Sequence, residues 1–167
     1  MKIHGWTIYL HACFEAQLNE LLAQARDAIA RRPDDYRKAN AFKRLAAVAK
    51  LAFDEIPANP ADPKYRQGGT LGKHRKHWFR AKFFQQYRLF FRYSESERVI
   101  VYAWVNDDQS LRAWGSKRDA YATFARMLSG GNPPDDWEAL CKAVMADDQA
   151  VRLAGQVLEV QRGDDTP

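Results

Sequence analysis

The hydrophobic pattern of the chain changes its period near residue 77. Before that point apolar residues recur at spacings of three and four, which is typical of amphipathic helices. After it, apolar and polar residues alternate over residues 77–84, 86–94 and 98–105, with brief polar turns between these segments. Such short connections favour a three-stranded antiparallel meander. The sequence therefore predicts helices followed by a mostly antiparallel sheet, which is an α+β fold.

Two helices are predicted before this meander, after an opening strand at residues 6–11. The first ends at Pro33, because proline lacks a backbone donor and cannot continue a helix. The second is expected to begin at Asp34 or Asp35, since either carboxylate can cap free amides, and to end in PANPADP at 57–63. The predicted buried residues of the two helices are Phe14, Leu18, Leu21, Leu22, Ala25 and Ile29, then Phe42, Leu45, Ala49, Phe53 and Ile56.

A third helix is predicted at residues 118–129, after the meander. Tyr121, Phe124 and Leu128 share one face of it, and GGNPP at 130–134 ends it. One or two further helices are expected to follow. The predicted order is β-α-α-β-β-β-α-α, with the two N-terminal helices packed on one face of the sheet.

Charge is distributed unevenly along the 167 residues, a length that suits one domain. Residues 1–134 hold 23 basic and 13 acidic side chains, whereas residues 135–167 hold 3 basic and 8 acidic ones. A basic body attracts polyanions such as nucleic acid. We predict one domain over 1–146, which includes a helix at 135–146, and an acidic extension over 147–167 that is helical and then disordered.

Several function classes lack their usual sequence features. No apolar run is long enough for a secretion signal or a membrane span, so a cytoplasmic protein without membrane contact is expected. Cys13 and Cys141 are too far apart for a metal motif and are interpreted as reduced thiols. The chain has no GxxxxGK[ST] loop and no HExxH motif, which argues against ATP hydrolysis and zinc catalysis. Neither a cofactor nor a metal is expected.

The strongest local signal is a basic segment at residues 64–94, which contains nine cations and no Asp or Glu. Alternation along the first strand of the meander puts Arg80 and Lys82 on one face. The rings of Trp78 and Phe84 flank them there, which makes a platform for a phosphate with a base beside it. Arg88 of the next strand can lie next to these cations across the sheet.

Two interpretations of this segment remain open. Basic residues that alternate with apolar ones are typical of a solvated sheet face. However, like charges on neighbouring strands repel one another, and a bound anion would relieve that repulsion. Rings beside cations favour single-stranded nucleic acid, because bases stack on the rings. Arg80 and Arg88, as residues of a solvated sheet face, are both expected to be replaceable by Ala at little cost in stability.

Cleavage of RNA without a metal is compatible with these residues. RNA carries its own nucleophile in the 2′-hydroxyl, so a protein need only orient that group, stabilise a charged phosphorane and move protons. Arg and Lys can supply the charge, and His, Lys or Tyr can move the protons. The sequence thus permits an endoribonuclease, and the alternative is a nucleic-acid or protein binding module without catalysis.

Five motifs in order then point to a family: KLAFDEIP, PKYRQGGTLG, HWFRAKFFQQYRLFFRY, VIVYAWVND and RAWGSKRDAY. Over about residues 5–142 the chain resembles the YhaV family of bacterial toxins in the RelE/ParE superfamily. The resemblance implies a RelE-like microbial ribonuclease fold and endoribonuclease activity on mRNA, free or on the ribosome, that inhibits translation and arrests growth. It also implies neutralisation by a PrlF-type, AbrB-like antitoxin, with operator DNA contacted only through the antitoxin complex.

The resemblance implies a set of catalytic residues. Arg80 and Lys82 match a basic pair on the first strand of the meander, Arg88 matches an arginine of the second strand, and Tyr121 matches a tyrosine of the last helix. An expected cation after the third strand is one of Arg112, Lys117 and Arg118. The residues predicted to be catalytic or to bind RNA are Lys73, His74, Arg75, Lys76, Trp78, Arg80, Lys82, Arg88, Arg92, Arg112, Lys117, Arg118 and Tyr121.

Tyr121, and His77 outside this set, each have a structural interpretation beside a catalytic one. Tyr121 lies on the apolar stripe of its helix, so it fits a core position as well as a catalytic one. His77 alternates onto the expected core face, where a hydrogen-bonded core histidine is the favoured interpretation. His74 lies in a loop and is the freer proton carrier.

Overall fold

A computed structural model describes residues 1–145 and 149–163, which form a five-stranded sheet with helices on both faces. The strand order across the sheet is β1-β2-β5-β4-β3. β2 and β5 run parallel, whereas the other neighbouring strands are antiparallel. The strands are β1 (Lys2–Ile3), β2 (Trp6–Leu10), β3 (Phe79–Phe83), β4 (Tyr87–Ser94) and β5 (Val99–Val105).

Six helices belong to the described residues, and α2 continues through a π-helical turn at Leu51–Glu55 into α3. In α1 the side chain of His11 accepts a hydrogen bond from the amide of Cys13, which caps the helix. The helices are α1 (Ala12–Arg31), α2 (Asn40–Lys50), α3 (Ile56–Ala58), α4 (Ala120–Ser129), α5 (Trp137–Val144) and α6 (Gln149–Arg162).

One sheet face packs against α1, α2 and α6. Leu89, Phe91 and Tyr102 of the sheet are fully buried there with Phe14 and Leu45 of the helices. The predicted α+β fold, with two N-terminal helices on a mostly antiparallel sheet, is confirmed. The predicted apolar faces of the first two helices are buried as well, with Ile29 only partly so.

The other sheet face packs against α4 and α5. Phe124 of α4 lies parallel to Phe90 and Trp104 of the sheet, with ring centres 4.3 and 5.9 Å away. Leu140 of α5 is fully buried in the same cluster. Both faces of the central strands are therefore covered, and β1 and β3 are the two edge strands of the sheet.

The predicted start of the second helix is wrong. α2 begins at Asn40, because residues Tyr36–Lys38 form a separate short 3₁₀ turn. Asp35 precedes that turn, and its carboxylate pairs with the ammonium of Lys38 at 2.8 Å, so it does not cap α2.

The C-terminal part of the chain contains α6, whose Ala150, Leu153, Ala154 and Val157 are buried with α1 and α2. The division into a domain over 1–146 and an extension over 147–167 stays a prediction. The disordered tail is predicted for the end of this extension, where residues 164–167 lie outside the described ones. Within the described ranges no helix has the length and apolar character to cross a bilayer.

Candidate active site

Tyr121 is placed by the first turn of α4. Asp119 caps this helix, because its Oδ2 accepts hydrogen bonds from the amides of Tyr121 and Ala122 at 3.0 and 3.3 Å. The Tyr121 ring meets Phe90 of β4 edge to face, with 5.6 Å between ring centres. The side chain is thus held in the core face of α4, and only 5% of the residue is exposed.

Two arginines from neighbouring strands meet at the hydroxyl of Tyr121. Nε of Arg80 on β3 donates to Tyr121 Oη at 2.9 Å, and Nε of Arg88 on β4 donates to the same oxygen at 3.1 Å. A phenol oxygen has two acceptor positions and one hydrogen to donate. Since the arginines take both acceptor positions, the hydroxyl hydrogen remains for another acceptor.

Arg112 adds a third cation to the same tyrosine. Its guanidinium carbon lies 4.9 Å from the centre of the Tyr121 ring, and its Nη1 donates to Oδ1 of Asp119 at 2.6 Å. Burial raises the pKa of Asp119, but hydrogen bonds from Arg112 and from the amides of Ala113 and Ala122 outweigh it and hold the pKa below its usual value. Of the three candidates after the third strand, Arg112 is the one in contact with the cluster, whereas Lys117 and Arg118 are exposed.

Arg88 is buried, which corrects the expectation that it lies on an open sheet face. It is 6% exposed, and its Nη1 donates to the carbonyl oxygens of Gln85 and Tyr87 at 2.6 and 2.8 Å. The amide of Arg88 donates to Asn106 Oδ1 at 2.7 Å. Because these acceptors belong to its own hairpin and to the end of β5, Arg88 is a structural residue of the sheet as well as a member of the site.

Lys82 is opposite Arg88 in the β3–β4 register and is exposed, in agreement with the alternation along this strand. Lys73, His74 and Lys76 are exposed on the turn before β3. Arg75 of that turn instead donates to the carbonyl oxygen of Ala125 and to Ser129 Oγ, at 3.3 and 2.9 Å. It fastens the turn to α4, so its guanidinium is committed to the fold.

Trp78 and Arg92 do not offer free groups to RNA. Trp78 directly precedes β3 and is fully buried, because α4 and α5 cover its indole. Its Nε1 donates to Asp135 Oδ1 at 2.7 Å. The guanidinium of Arg92 lies over the rings of Trp78 and Trp137, and Nη1 donates to the carbonyl oxygen of Asp135. The prediction of Trp78 as a stacking ring is therefore wrong, and Arg92 joins two structural elements.

His77 also leaves the strand pattern, since β3 begins at Phe79. Its Nε2 lies 2.7 Å from Asp135 Oδ1, and the side chain is partly exposed rather than in the core. Burial raises the pKa of Asp135, yet hydrogen bonds from His77 and Trp78 bring it below the usual range. This pair joins the segment before α5 to the segment before β3.

A cleft of about 820 Å³ opens beside the cluster. Arg112, Tyr121 and Arg126 line it, together with three further residues between 119 and 125. The other lining residues belong to the loops at 69–71 and 114–117. The volume is in the range of pockets that hold small organic ligands. The cluster therefore borders a space large enough for a nucleotide.

Three residues of the site escaped the sequence reasoning. Asp119 orients Arg112 and caps α4, and an aspartate just before an apolar helical pattern is a recognised capping signal. Asn106 bonds to the amide of Arg88 and to the carbonyl oxygens of Gln86 and Ser110, which no local pattern announces. Trp114 lines the cleft and is 87% exposed, whereas in the sequence it stands out only as part of the motif RAWGSKRDAY. In the described ranges no group of three or more His, Cys, Asp or Glu side chains could hold a metal ion.

Comparisons with known proteins agree on one family. Residues 8–145 match a family described as a toxin with endonuclease activity, of a toxin–antitoxin system. A protein of Escherichia coli strain K12 named ribonuclease toxin YhaV is 43% identical over 143 residues, which cover 84% of this chain and 93% of that protein. The toxin YhaV of an O6:H1 strain is 43% identical over 141 residues, covering 83% and 92%. No solved structure gives a significant match.

Proposed function

This chain belongs to the YhaV family of toxins with endonuclease activity, of toxin–antitoxin systems, and on that premise we propose that Arg80, Arg88, Arg112 and Tyr121 form its active centre for cutting mRNA. One observation carries the proposal. Two guanidinium groups converge on a single phenol oxygen while a third lies over its ring. Preorganised cations at one position stabilise the negative charge that develops on a phosphate during its transfer.

The proposed reaction is attack of a 2′-hydroxyl on the adjacent phosphorus. The bond from phosphorus to the 5′-oxygen breaks, which yields a 2′,3′-cyclic phosphate and a 5′-hydroxyl. Arg80, Arg88 and exposed Lys82 stabilise the charge on the phosphorane, and no metal is part of the proposal. Because both acceptor positions of Tyr121 are taken, its hydroxyl acts as a donor, to a phosphate oxygen or to the leaving 5′-oxygen.

The 2′-hydroxyl must also lose its proton, and we assign that step to His74. It is exposed on the turn before β3, and the neighbouring Arg75 fastens this turn to α4, the helix that carries Tyr121. An imidazole can accept a proton at one ring nitrogen, which suits the transfer. Lys73, Lys76, Lys117 and Arg118 are exposed and extend the positive surface along which the RNA backbone binds.

The test is cleavage of RNA by the purified protein in excess chelator, with the termini of the fragments identified. We expect cyclic phosphate ends from the parent and a loss of about 100- to 1,000-fold in rate for Arg80→Ala and Tyr121→Phe. Arg26→Ala is the matched control, since Arg26 is exposed on α1, on the opposite face of the sheet. RNA that binds but stays intact would instead support a binding module without catalysis.

A toxin of such a system has an antitoxin partner, and we propose the finer identity and location here. The antitoxin is of the PrlF-type, AbrB-like class, and it covers the Arg80 and Lys82 side of the sheet, since an inhibitor has to neutralise this charge. Complementary charge also speeds such an encounter. Operator DNA is reached only through that complex. The protein acts in the cytoplasm, where mRNA and ribosomes are found.

A further inference from the structure

Trp114 is held in the open by the loop between β5 and α4. The amide of Ser116 donates to the carbonyl oxygen of Ala113 at 3.1 Å, and Gly115 has a φ of +78°, which favours glycine. The amide of Ala113 donates to Asp119 Oδ1 at 2.8 Å. These bonds fasten both sides of the tryptophan, yet 87% of Trp114 is exposed. The fold thus presents the ring in a defined loop and buries little of it.

The other described tryptophans behave differently. Trp6, Trp78 and Trp104 are buried, and Trp137 is half-buried with its Nε1 donating to Glu97. A single exposed aromatic residue needs no special explanation by itself. Trp114 differs because of its surroundings, since it lines the cleft that also contains Tyr121 and Arg112.

Arg112 joins Trp114 to the active centre. Its guanidinium carbon lies 5.3 Å from the centre of the Trp114 ring and 4.9 Å from that of Tyr121. A phosphate at the Tyr121 hydroxyl therefore lies one side chain away from the indole. Lys117 and Arg126 also line the cleft and supply positive charge around it. A ring beside a phosphate site, among cations, fits a single-stranded nucleotide, whose base stacks while its backbone meets the charges.

We propose that Trp114 stacks on the base of a nucleotide that adjoins the scissile phosphate, and that the cleft of about 820 Å³ is the subsite for this nucleotide. The proposal rests on the proposed function, since the phosphate at Tyr121 fixes where the base lies. Trp114 is a binding residue in this assignment and takes no part in proton transfer. Its loss should raise KM more than it lowers kcat.

A cycle of two changes tests the contact directly. The probes are short single-stranded 2′-O-methyl RNAs, which the 2′-hydroxyl reaction cannot cut, each with one abasic position moved along the sequence. For the parent we expect one abasic position to weaken binding by about 5- to 150-fold, the range measured for one base on an aromatic side chain. Trp114→Ala should bind the intact RNA as weakly as the parent binds that abasic RNA, and the same abasic position should cost it nothing more. Trp114→Phe should recover most of the loss.

Fluorescence supplies a second measurement on the same variants. The RNA should quench the emission of the parent, and the quenching should disappear in Trp114→Phe but persist in Trp137→Phe, the matched control. Equal abasic losses in the parent and in Trp114→Ala overturn the stacking contact. So does a Trp114→Ala protein that binds RNA normally but binds the antitoxin weakly, which would make the ring part of a protein interface. If the parent cuts RNA in chelator but Trp114→Ala does not remove the cost of the abasic position, the subsite alone is refuted. A parent that binds none of the RNAs refutes both proposals.

Discussion

Replacing Arg88 by Ala should lower the stability of the protein as well as its rate of RNA cleavage. The guanidinium is buried and donates to the carbonyl oxygens of Gln85 and Tyr87 and to Tyr121 Oη. A buried acceptor that loses its donor costs about 1–3 kcal/mol. The variant also no longer has to bury a charge, which offsets part of this loss. We therefore expect a net loss of about 1–3 kcal/mol in the free energy of unfolding, or about 2–12 °C in Tm for a chain of this size.

Arg80→Ala is the matched variant for this experiment. Arg80 is partly exposed and donates to Tyr121 Oη and to the carbonyl oxygen of Lys64, so its loss should cost less than about 1 kcal/mol. Both variants should cut RNA about 100- to 1,000-fold more slowly. Arg88→Lys keeps the charge but not the planar set of donors, so it should recover only part of either loss. Melting curves and cleavage rates check this, and an Arg88→Ala protein that melts and cuts like the parent refutes the assigned role.

Asp119 has a folded-state pKa below its usual value, so its contribution to stability is present above the unfolded pKa of about 4 and is lost as pH falls through the folded pKa. Acid unfolding should therefore depend less steeply on pH in Asp119→Asn. Identical profiles for the parent and the variant would argue against the contact. Leu89 is fully buried on the face opposite Tyr121, so Leu89→Ala should cost about 2–5 kcal/mol in chemical denaturation while the folded variant cuts RNA normally; a selective loss of rate would contradict this. The affinity for single-stranded RNA should fall linearly on a log–log plot against salt, and Lys82→Ala should reduce the slope by about 0.7; an unchanged slope would remove Lys82 from the interface.

The part of the site that local periodicity controls could be predicted from the sequence. A period of two placed Arg80 and Lys82 on one face of β3, and the helical spacing of Phe124 and Leu128 gave the phase of Tyr121. Each of these residues keeps its predicted face because a shift by one position would expose the apolar residues beside it. The antiparallel meander follows for the same reason.

The part that depends on distant segments could not be predicted. Trp78 is buried because Asp135 and α5, more than fifty residues later in the chain, cover the position before β3. Arg88 is buried because its donors find carbonyl oxygens in its own hairpin, and a pattern of charged and apolar letters does not show where carbonyls point. Trp114 is exposed because the hydrogen bonds of Ala113 and the positive φ of Gly115 turn it outward, against the usual tendency of tryptophan.

The basic segment at 64–94 has no acid of its own, yet several of its arginines are hydrogen-bonded. Their partners are carbonyl oxygens: Lys64 for Arg80, Ala125 for Arg75 and Gln85 for Arg88. A carbonyl satisfies a donor without cancelling its charge, so these arginines are fixed in place and remain positive. A carboxylate partner would fix them equally well but would neutralise the field that attracts a polyanion. Arg112, which lies outside this segment, shows the contrast, because its guanidinium is paired with the carboxylate of Asp119. Arg80 and Arg88 donate instead to carbonyl oxygens and to the Tyr121 hydroxyl, so a phosphate bound at the proposed centre would meet their charge undiminished.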